Sequence, residues 1–343
     1  SKEVIVKDTT QLQKKETILT DLEDIDIEQL IADVTPEAVR LMKSTLQKSA
    51  KKMLKEHRTL ASGFEKRNIK RWSKAFDLLE THIVICTEAG EDFNSSYRAT
   101  AVDSNDLVLV FDIVVRHHAR ACHIAQEILC LLKSGFADAA HARWRALHEV
   151  NATGMFIAKH GQECAERFYF HDIVDSYDGM LEHKKYEDRL QEKAASPEEI
   201  ESCKVEYDKV IARYGKKFGD HYGWASNIFP KHSRVGFTAI EKDVGLDHMR
   251  PYYKWASQNV HSGSKGMRNR LGLCEAKEDV LLVGQSNSGM TDPAHATAIS
   301  LSQITCTLLM LEPTLDHIVL MTIIDGYQED IGSTFLEVEE NDS

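Results

Sequence analysis

The stretch HIAQEILCLLKSGFADAAHARWRALHEV, residues 123–150, holds the end of one helical pattern and the start of another. Apolar residues recur at intervals of three and four on both sides of the segment KSGFAD, as they do in amphipathic helices. Gly135 in that segment can adopt the left-handed backbone conformation that ends many helices. Because short connections join antiparallel neighbours, the pattern predicts a helical hairpin made of residues 106–133 and 137–159.

The same periodicity extends along most of the chain. It predicts further helices at 36–60, 64–90, 163–192, 197–216, 247–260 and 293–325, the last of them kinked near Pro313. Prolines that follow a capping residue mark three helix starts, at Thr35, Ser196 and Asp292. Strand signals are scarce, and DVLLVG at 279–284 is the best candidate. We therefore predict an all-α fold, a helical bundle around a central antiparallel helical hairpin.

Composition and pattern together predict four parts of the chain. They are a mobile N-terminal segment at 1–34, a basic helical arm at 35–63, an all-α bundle domain at 64–332 with a loop-rich insertion at 218–246, and an acidic disordered tail at 333–343.

Charge is distributed unevenly. The chain has a net charge of −12, which argues against a surface that coats nucleic acid along its whole length. The segment from Arg40 to Lys74 nevertheless holds twelve lysines and arginines against two glutamates. It could contact RNA or DNA phosphates, or an acidic surface of a partner protein. Its candidate phosphate-binding residues are Lys51, Lys52, Lys55, Arg67, Lys70 and Arg71.

The cysteines and the apolar segments bear on the cellular compartment. Seven cysteines, with no C-x-x-C pair, fit neither a disulfide framework nor a zinc ribbon. Residues 1–16 lack the apolar core of a signal peptide, and the apolar stretch 305–325 is interrupted by Glu312, Pro313 and Asp316. We expect a reduced cytoplasmic protein without a membrane anchor.

Each half of the hairpin has a polar stripe on one face. The stripes consist of Arg116, Arg120, His123 and Glu127 on the first helix, and His141, Arg145, His148 and Glu149 on the second. A turn centred near Phe136 would pair Glu127 with Arg145 and His123 with Glu149. Such a seam can be purely structural and fix the helix register. It can also be an active site, because perturbed titratable groups cluster at such sites.

A short motif in the second helix favours the catalytic interpretation. Arg143-x4-His148 resembles the R-x(4–6)-H motif of HEPN-type ribonucleases, helical proteins common in bacterial toxin–antitoxin and antiphage systems. The resemblance implies that His148 transfers a proton and Arg143 holds the scissile phosphate, with no metal and no cofactor. It also implies a site completed across a dimer. Five residues turn a helix by about 500°, which leaves Arg143 roughly 140° from His148 and places Arg145 closer to the histidine.

A broader resemblance covers more of the chain. The blocks RWSKAFDLLETHIVICTEAGEDF (71–93), LKSGFADAAHARWRALHEVNATGMFIAKHG (132–161) and YYKWASQNVHSGSKG (252–266) look like the recurrent blocks of the DUF5677 family, an uncharacterised bacterial family. This resemblance spans roughly 64–325 and implies a helical fold without an established reaction. Glu149 and His261 fall in its R-x-x-x-E and S-x-x-x-H patterns.

Two further groups of residues have both a functional and a plain interpretation. The Gly/Ser-rich loop at 259–272 could bind phosphate through Lys265, Arg268 and Arg270, or could be an ordinary surface loop. The stripe of His171, Asp175, Asp178 and Glu182 could take Mg²⁺ or Mn²⁺, or could be a solvated acidic face.

These observations lead to two hypotheses. The first is a HEPN-like, metal-independent endoribonuclease of a bacterial antiphage-defence or toxin system, acting as a homodimer on RNA. Its catalytic residues would be Arg143, Arg145, His148 and Glu149, supported by Arg120, His123, Glu127 and His261. The alternative is a non-catalytic helical module that binds a protein, such as an antitoxin, or a nucleic acid through the basic arm, with a structural seam. Neither hypothesis involves a membrane.

Overall fold

The computed structural model describes residues 27–100, 108–261 and 263–341. The chain divides at Gly63 and Phe64 into two compact units. Most of the N-terminal segment predicted to be mobile, and the last two residues of the predicted tail, lie outside the described residues.

The described residues are mainly α-helical. The α-helices are α1 (Ile27–Arg71), α2 (Ser73–Thr100), α3 (Val108–Lys133), α4 (Ala137–Phe170), α5 (Asp172–Leu190), α6 (Pro197–Tyr214), α7 (Phe237–Asp243), α8 (Arg250–Gln258), α9 (Ser264–Arg268), α10 (Thr291–Leu309) and α11 (Leu315–Asn341). These residues contain no strand, so the predicted all-α fold is confirmed. None of the helices described is long and apolar enough to cross a membrane.

Helix ends were predicted with mixed success. The start of α6 is confirmed, because Ser196 Oγ accepts a hydrogen bond from Glu199 N at 3.2 Å and the Glu199 carboxylate accepts one from Ser196 N at 2.8 Å. The start predicted at Pro36 is wrong, since Pro36 lies inside α1. The break predicted near residue 62 is also absent, because α1 continues to Arg71. A single glycine such as Gly63 costs a helix only about 1 kcal/mol, which its neighbours can offset.

The strand predicted at 279–284 does not form. Leu281 and Val283 are 94% and 93% exposed, and no segment within the described ranges pairs with them. A strand requires ladder hydrogen bonds to a neighbour, and the apolar run alone could not supply one.

The tail predicted to be disordered from residue 333 instead forms the end of α11, which continues to Asn341. Phe335 is fully buried and stacks on Trp72 with the ring centroids 5.5 Å apart. Acidic composition predicted disorder here, but one buried aromatic side chain anchors the helix to the core.

The core of the second unit surrounds the hairpin. Its largest cluster combines buried side chains of α2, α3, α4, α10 and α11. Trp144 of α4 is fully buried, and its Nε1 donates to Ala296 O at 2.9 Å and to Ser300 Oγ at 3.0 Å. The same tryptophan therefore supplies apolar area and satisfies its own polar atom.

The hairpin turn has the geometry expected from its glycine. Gly135 has φ +83°, its N donates to Leu132 O at 3.0 Å, and Phe136 N donates to Leu131 O at 2.8 Å. These two bonds form a Schellman motif, which satisfies the last carbonyls of α3. A Cβ on Gly135 would lie 2.4 Å from a ring carbon of Phe64 and 2.9 Å from Ser286 O.

We therefore expect Gly135→Ala to lower the free energy of unfolding by about 2–4 kcal/mol, because alanine disfavours this backbone conformation and its Cβ would overpack the turn. Urea unfolding measures the change. The matched control is Gly179→Ala inside α5, where a Cβ meets nothing within 4 Å and stability should rise by up to about 1 kcal/mol. Equal effects of the two substitutions would contradict this account of the turn.

Candidate functional site

The charged side chains near the hairpin surface form other ion pairs than those predicted. Arg143 forms an ion pair with Glu127, and His123 Nε2 lies 3.3 Å from the same carboxylate. Arg145 pairs with Glu149 of its own helix at 3.2 Å. The predicted pairs Glu127–Arg145 and His123–Glu149 were therefore wrong. The turn is centred on Gly135 instead of Phe136, which moves the partner of Glu127 by two residues along α4.

His148 points away from Arg143 and into the interior. Its side chain is 1% exposed, and its Nε2 lies 2.8 Å from Glu241 Oε1 of α7. Glu241 is 0% exposed and forms an ion pair with Arg250 at the start of α8. The rings of Trp144, Phe237 and Tyr253 surround the imidazole, with centroids 5.3 to 5.9 Å away. His148 therefore lies out of reach of a molecule in solvent.

Burial, together with the charge of the nearby Arg250, lowers the pKa of His148 to about 4. The ring is thus neutral at pH 7, and its Nε2–H can donate to the Glu241 carboxylate. The charge of that carboxylate is balanced by Arg250. The ion pair with Arg250 and the contact with His148 give the buried Glu241 carboxylate a counter-charge and one hydrogen-bond donor, and a charge buried in a protein interior requires such partners.

A tyrosine continues this network towards the surface. The hydroxyl of Tyr253 donates a hydrogen bond to the Glu149 carboxylate. Burial, together with this hydrogen bond, raises the pKa of Tyr253 to about 12. The guanidinium groups of Arg145 and Arg250 each lie 4.9 Å from the centre of the Tyr253 ring. We call this network the seam, formed by Arg145, His148, Glu149, Glu241, Arg250 and Tyr253.

A cleft of about 890 Å³ lies at the Glu149 end of the seam. It is lined by Asp112, Ile113, Arg116, His117, Arg120, Glu149, Thr153, residues 168–173, Asp175, His221, Tyr222 and Trp224. The predicted insertion supplies the last three. Arg167 fixes that part of the insertion, because its guanidinium is buried and donates to Trp224 O at 2.8 Å and to Ser226 Oγ at 3.0 Å.

The α3 side of the cleft is cationic. Arg116 is exposed and pairs with Asp112 at 2.7 Å. Arg120, one turn further along, is exposed and has no hydrogen bond or ion pair with any residue that the structure describes. His117 lies between them, with Nδ1 2.8 Å from Ile113 O, and burial lowers its pKa. With Nδ1 bonded to the carbonyl, Nε2 is the ring atom that can meet a ligand.

Aromatic side chains also line the cleft. Tyr169 is 57% exposed, and the ring of His221 lies 4.6 Å from that of Tyr222. Burial and the charge of Glu149 raise the pKa of Tyr222 to about 12, so its hydroxyl stays a hydrogen-bond donor. The cleft therefore combines a cation without a partner, titratable rings and an exposed aromatic face. Its volume lies in the range of small-molecule sites.

The predicted phosphate-binding residues belong to both units of the chain. Lys51, Lys52 and Lys55 are exposed in the first unit. In the second unit Arg67, Lys70, Lys265 and Arg268 are exposed, and so is His261, at the end of α8. Two of the predicted cations are already engaged by the protein. Arg71 donates to Glu275 at 3.2 Å and to Asn287 O at 2.9 Å, and Arg270 donates to Leu282 O at 3.0 Å.

The side chains of the predicted stripe His171, Asp175, Asp178 and Glu182 do not come close enough together to form a metal site. His171 Nε2 bonds to Asp220 O at 2.9 Å, and Asp175 lies 3.6 Å from its other ring nitrogen. Among the described residues, the group with metal-ligand spacing is Cys274, Glu275 and Glu339. The Glu275 carboxylate in that group is already held by Arg71.

All residues of the seam and of the cleft lie in one continuous part of the chain, from Asp112 to Tyr253. Residues 111–279 match the DUF5677 family, a family of unknown function. The match confirms the family resemblance predicted from the sequence, over a shorter span than the predicted 64–325. No curated protein and no solved structure matches the chain. The DUF5677 segment thus contains the R-x-x-x-E and S-x-x-x-H patterns together with every seam residue.

Sequence reasoning missed the inner partners of the seam. Glu241 lies 93 residues from His148 along the chain, and Arg250 follows it on a separate helix. No local spacing connects such residues. The available signal was indirect, since a buried histidine requires a polar partner that must come from another element.

Proposed function

We propose that this protein is a helical nucleic-acid-binding module without catalytic activity, which holds one or two nucleotides of a single-stranded RNA in the cleft. The observation that carries the proposal is the presence of partner-free Arg120 and exposed Tyr169 in the same cleft of about 890 Å³. The seam then has a structural role and positions Glu149 and the insertion.

The chemistry of the cleft suits a nucleotide of an unpaired strand. An arginine presents a planar fork of donors to phosphate oxygens. An exposed aromatic ring offers a stacking surface to a base, which is the usual way in which unpaired RNA is bound. The net charge of −12 disfavours long tracts of backbone contact, so we propose a short bound segment.

We expect Arg120→Gln to weaken RNA binding by at least about tenfold, because one charge-assisted phosphate contact is worth about 1.5–3 kcal/mol. Fluorescence polarisation of a labelled single-stranded RNA measures the affinity. Tyr169→Leu should weaken binding to a similar extent through lost stacking. Melting temperatures should stay unchanged, since both side chains are exposed.

The matched control is Arg189→Gln, at an exposed arginine of α5 that does not line the cleft. It should leave the affinity as in the wild type. Wild-type protein that binds no RNA, or equal losses for Arg120→Gln and Arg189→Gln, would refute the proposal.

RNA cleavage without a metal is the second candidate function. The observation that favours it is that His117 and His221 line the same cleft as Arg116 and Arg120. Histidines can pass protons to and from the reacting oxygens while arginines hold the phosphate. In this arrangement His148 would not touch the RNA. The role in antiphage defence or as a toxin rests on the HEPN resemblance alone.

Incubation of the same RNA with wild-type protein in EDTA tests this candidate. Cleavage that disappears in His117→Ala or His221→Ala, with an unchanged melting temperature, would favour the enzyme over the binding module. Binding of intact RNA without cleavage would favour the binding module.

A further inference from the structure

The first unit exposes an apolar face along α1. The large apolar side chains exposed there are Ile31, Val34, Val39, Leu41, Met42, Leu46, Met53, Leu54 and Leu60. At 100° per residue, all of them except Leu54 fall within an arc of about 160°. Four of them, Val39, Leu46, Met53 and Leu60, follow at seven-residue intervals, as in a helix that packs against another helix. The apolar stripe of a surface helix ordinarily faces a protein core, and a large stripe left exposed marks an interaction site.

Charge is segregated along the same helix. Residues 27–39 carry three acidic side chains and no basic one. Residues 40–63 carry seven lysines and arginines and a single glutamate. Two such helices side by side in parallel would place seven cations against seven cations. In the antiparallel orientation the acidic end of each helix meets the basic end of the other, which is electrostatically favourable.

We propose that the apolar face of α1 binds the same face of a second copy of this chain, in an antiparallel pair centred on Leu46. This register brings the two Leu46 side chains together, places Val39 against Met53, and sets Glu37 opposite Lys55. Glu37 has only its exposed neighbour Arg40 as an ion-pair partner within the helix, at 2.7 Å. A surface pair of this kind is worth less than about 1 kcal/mol, so it can rearrange at low cost. This pairing involves the first unit alone and does not require RNA to bind in the cleft.

The oligomeric state of the full chain, measured by sedimentation over a range of protein concentrations without RNA, tests the pairing. The wild type should dimerise, and Leu46→Asp should raise the dissociation constant by at least about tenfold, because it brings two carboxylates together in an apolar interface. The matched control is Leu54→Asp, on the same helix but outside the arc. Leu46 is 59% exposed and Leu54 43%. The control should dimerise like the wild type. A monomeric wild type, or equal effects of the two substitutions, would overturn the proposal.

Charge reversal tests the orientation. Glu37→Lys should weaken the dimer, and adding Lys55→Glu should restore it, because the antiparallel register sets these two positions against each other. In a parallel pair they lie about 27 Å apart along the helix, and the second change would not restore what the first removed. Failure of the double variant to recover would contradict the antiparallel arrangement.

Discussion

Lowering the pH from 6.5 to 4 is expected to unfold the second unit cooperatively. Burial lowers the pKa of His82, His118, His141 and His148 to about 4 each, whereas an exposed histidine in the unfolded chain titrates near 6.5. At pH values well above 6.5 the rings are neutral in both states, so their protonation takes nothing from the stability. As the pH falls, the unfolded chain takes up protons first, so stability is lost. Each ring contributes up to about 3 kcal/mol to this loss. The summed loss from four rings is comparable to the whole free energy of unfolding of a domain, about 5–15 kcal/mol.

A pair of variants separates the buried histidines from general acid effects. Neither ring nitrogen of His141 has a hydrogen-bond partner among the residues that the structure describes, and the ring packs against Trp144 and Trp255. His141→Leu should therefore move the acid unfolding midpoint, measured by circular dichroism, to lower pH. His123→Leu alters an exposed ring and should leave the midpoint unchanged. A stability that stays constant from pH 7 to pH 4.5, or equal shifts in the two variants, would refute this explanation.

Glu241→Gln is expected to lower the free energy of unfolding by about 3–5 kcal/mol, since it removes one member of a buried ion pair and leaves the Arg250 charge without its counter-charge. Glu241 is fully buried and contacts both Arg250 and His148. Urea unfolding with an unchanged dependence on denaturant measures the loss.

The control for this substitution is an ion pair of the hairpin that is partly exposed to water. Glu127 pairs with Arg143 where both side chains are about one-third exposed. Glu127→Gln should therefore cost less than about 1 kcal/mol, because water screens the pair. If Glu127→Gln proved as costly as Glu241→Gln, burial would not be what makes the inner pair important.

Local sequence signals predicted the hairpin well. Gly135 ends α3 as expected, and the capping box at Ser196 forms. Errors arose where a partner distant in sequence decides the outcome. Phe335 packs on Trp72 and anchors the helical end of the acidic tail. The apolar run at 279–284 has no strand beside it in the part of the chain that the structure describes, and it stays without regular structure.

The candidate site was only partly predictable for the same reason. Helical spacing correctly placed Arg145 and Glu149 as neighbours, and it separated Arg143 from His148 by a large angle. It could not predict that Glu241 and Arg250 enclose His148, because α7 and α8 follow the insertion. Nor could it predict the cleft, which combines α3 with residues of the insertion such as Tyr222.

The central claim is that RNA is bound in the cleft and that the seam is structural. Photo-crosslinking of an RNA that contains 4-thiouridine, followed by mass spectrometry of the crosslinked peptides, locates the bound strand directly. We predict crosslinks to cleft-lining residues around Tyr169 and His221. Crosslinks confined to the basic part of α1, or to peptides that contain His148 without any from the cleft, would contradict the claim.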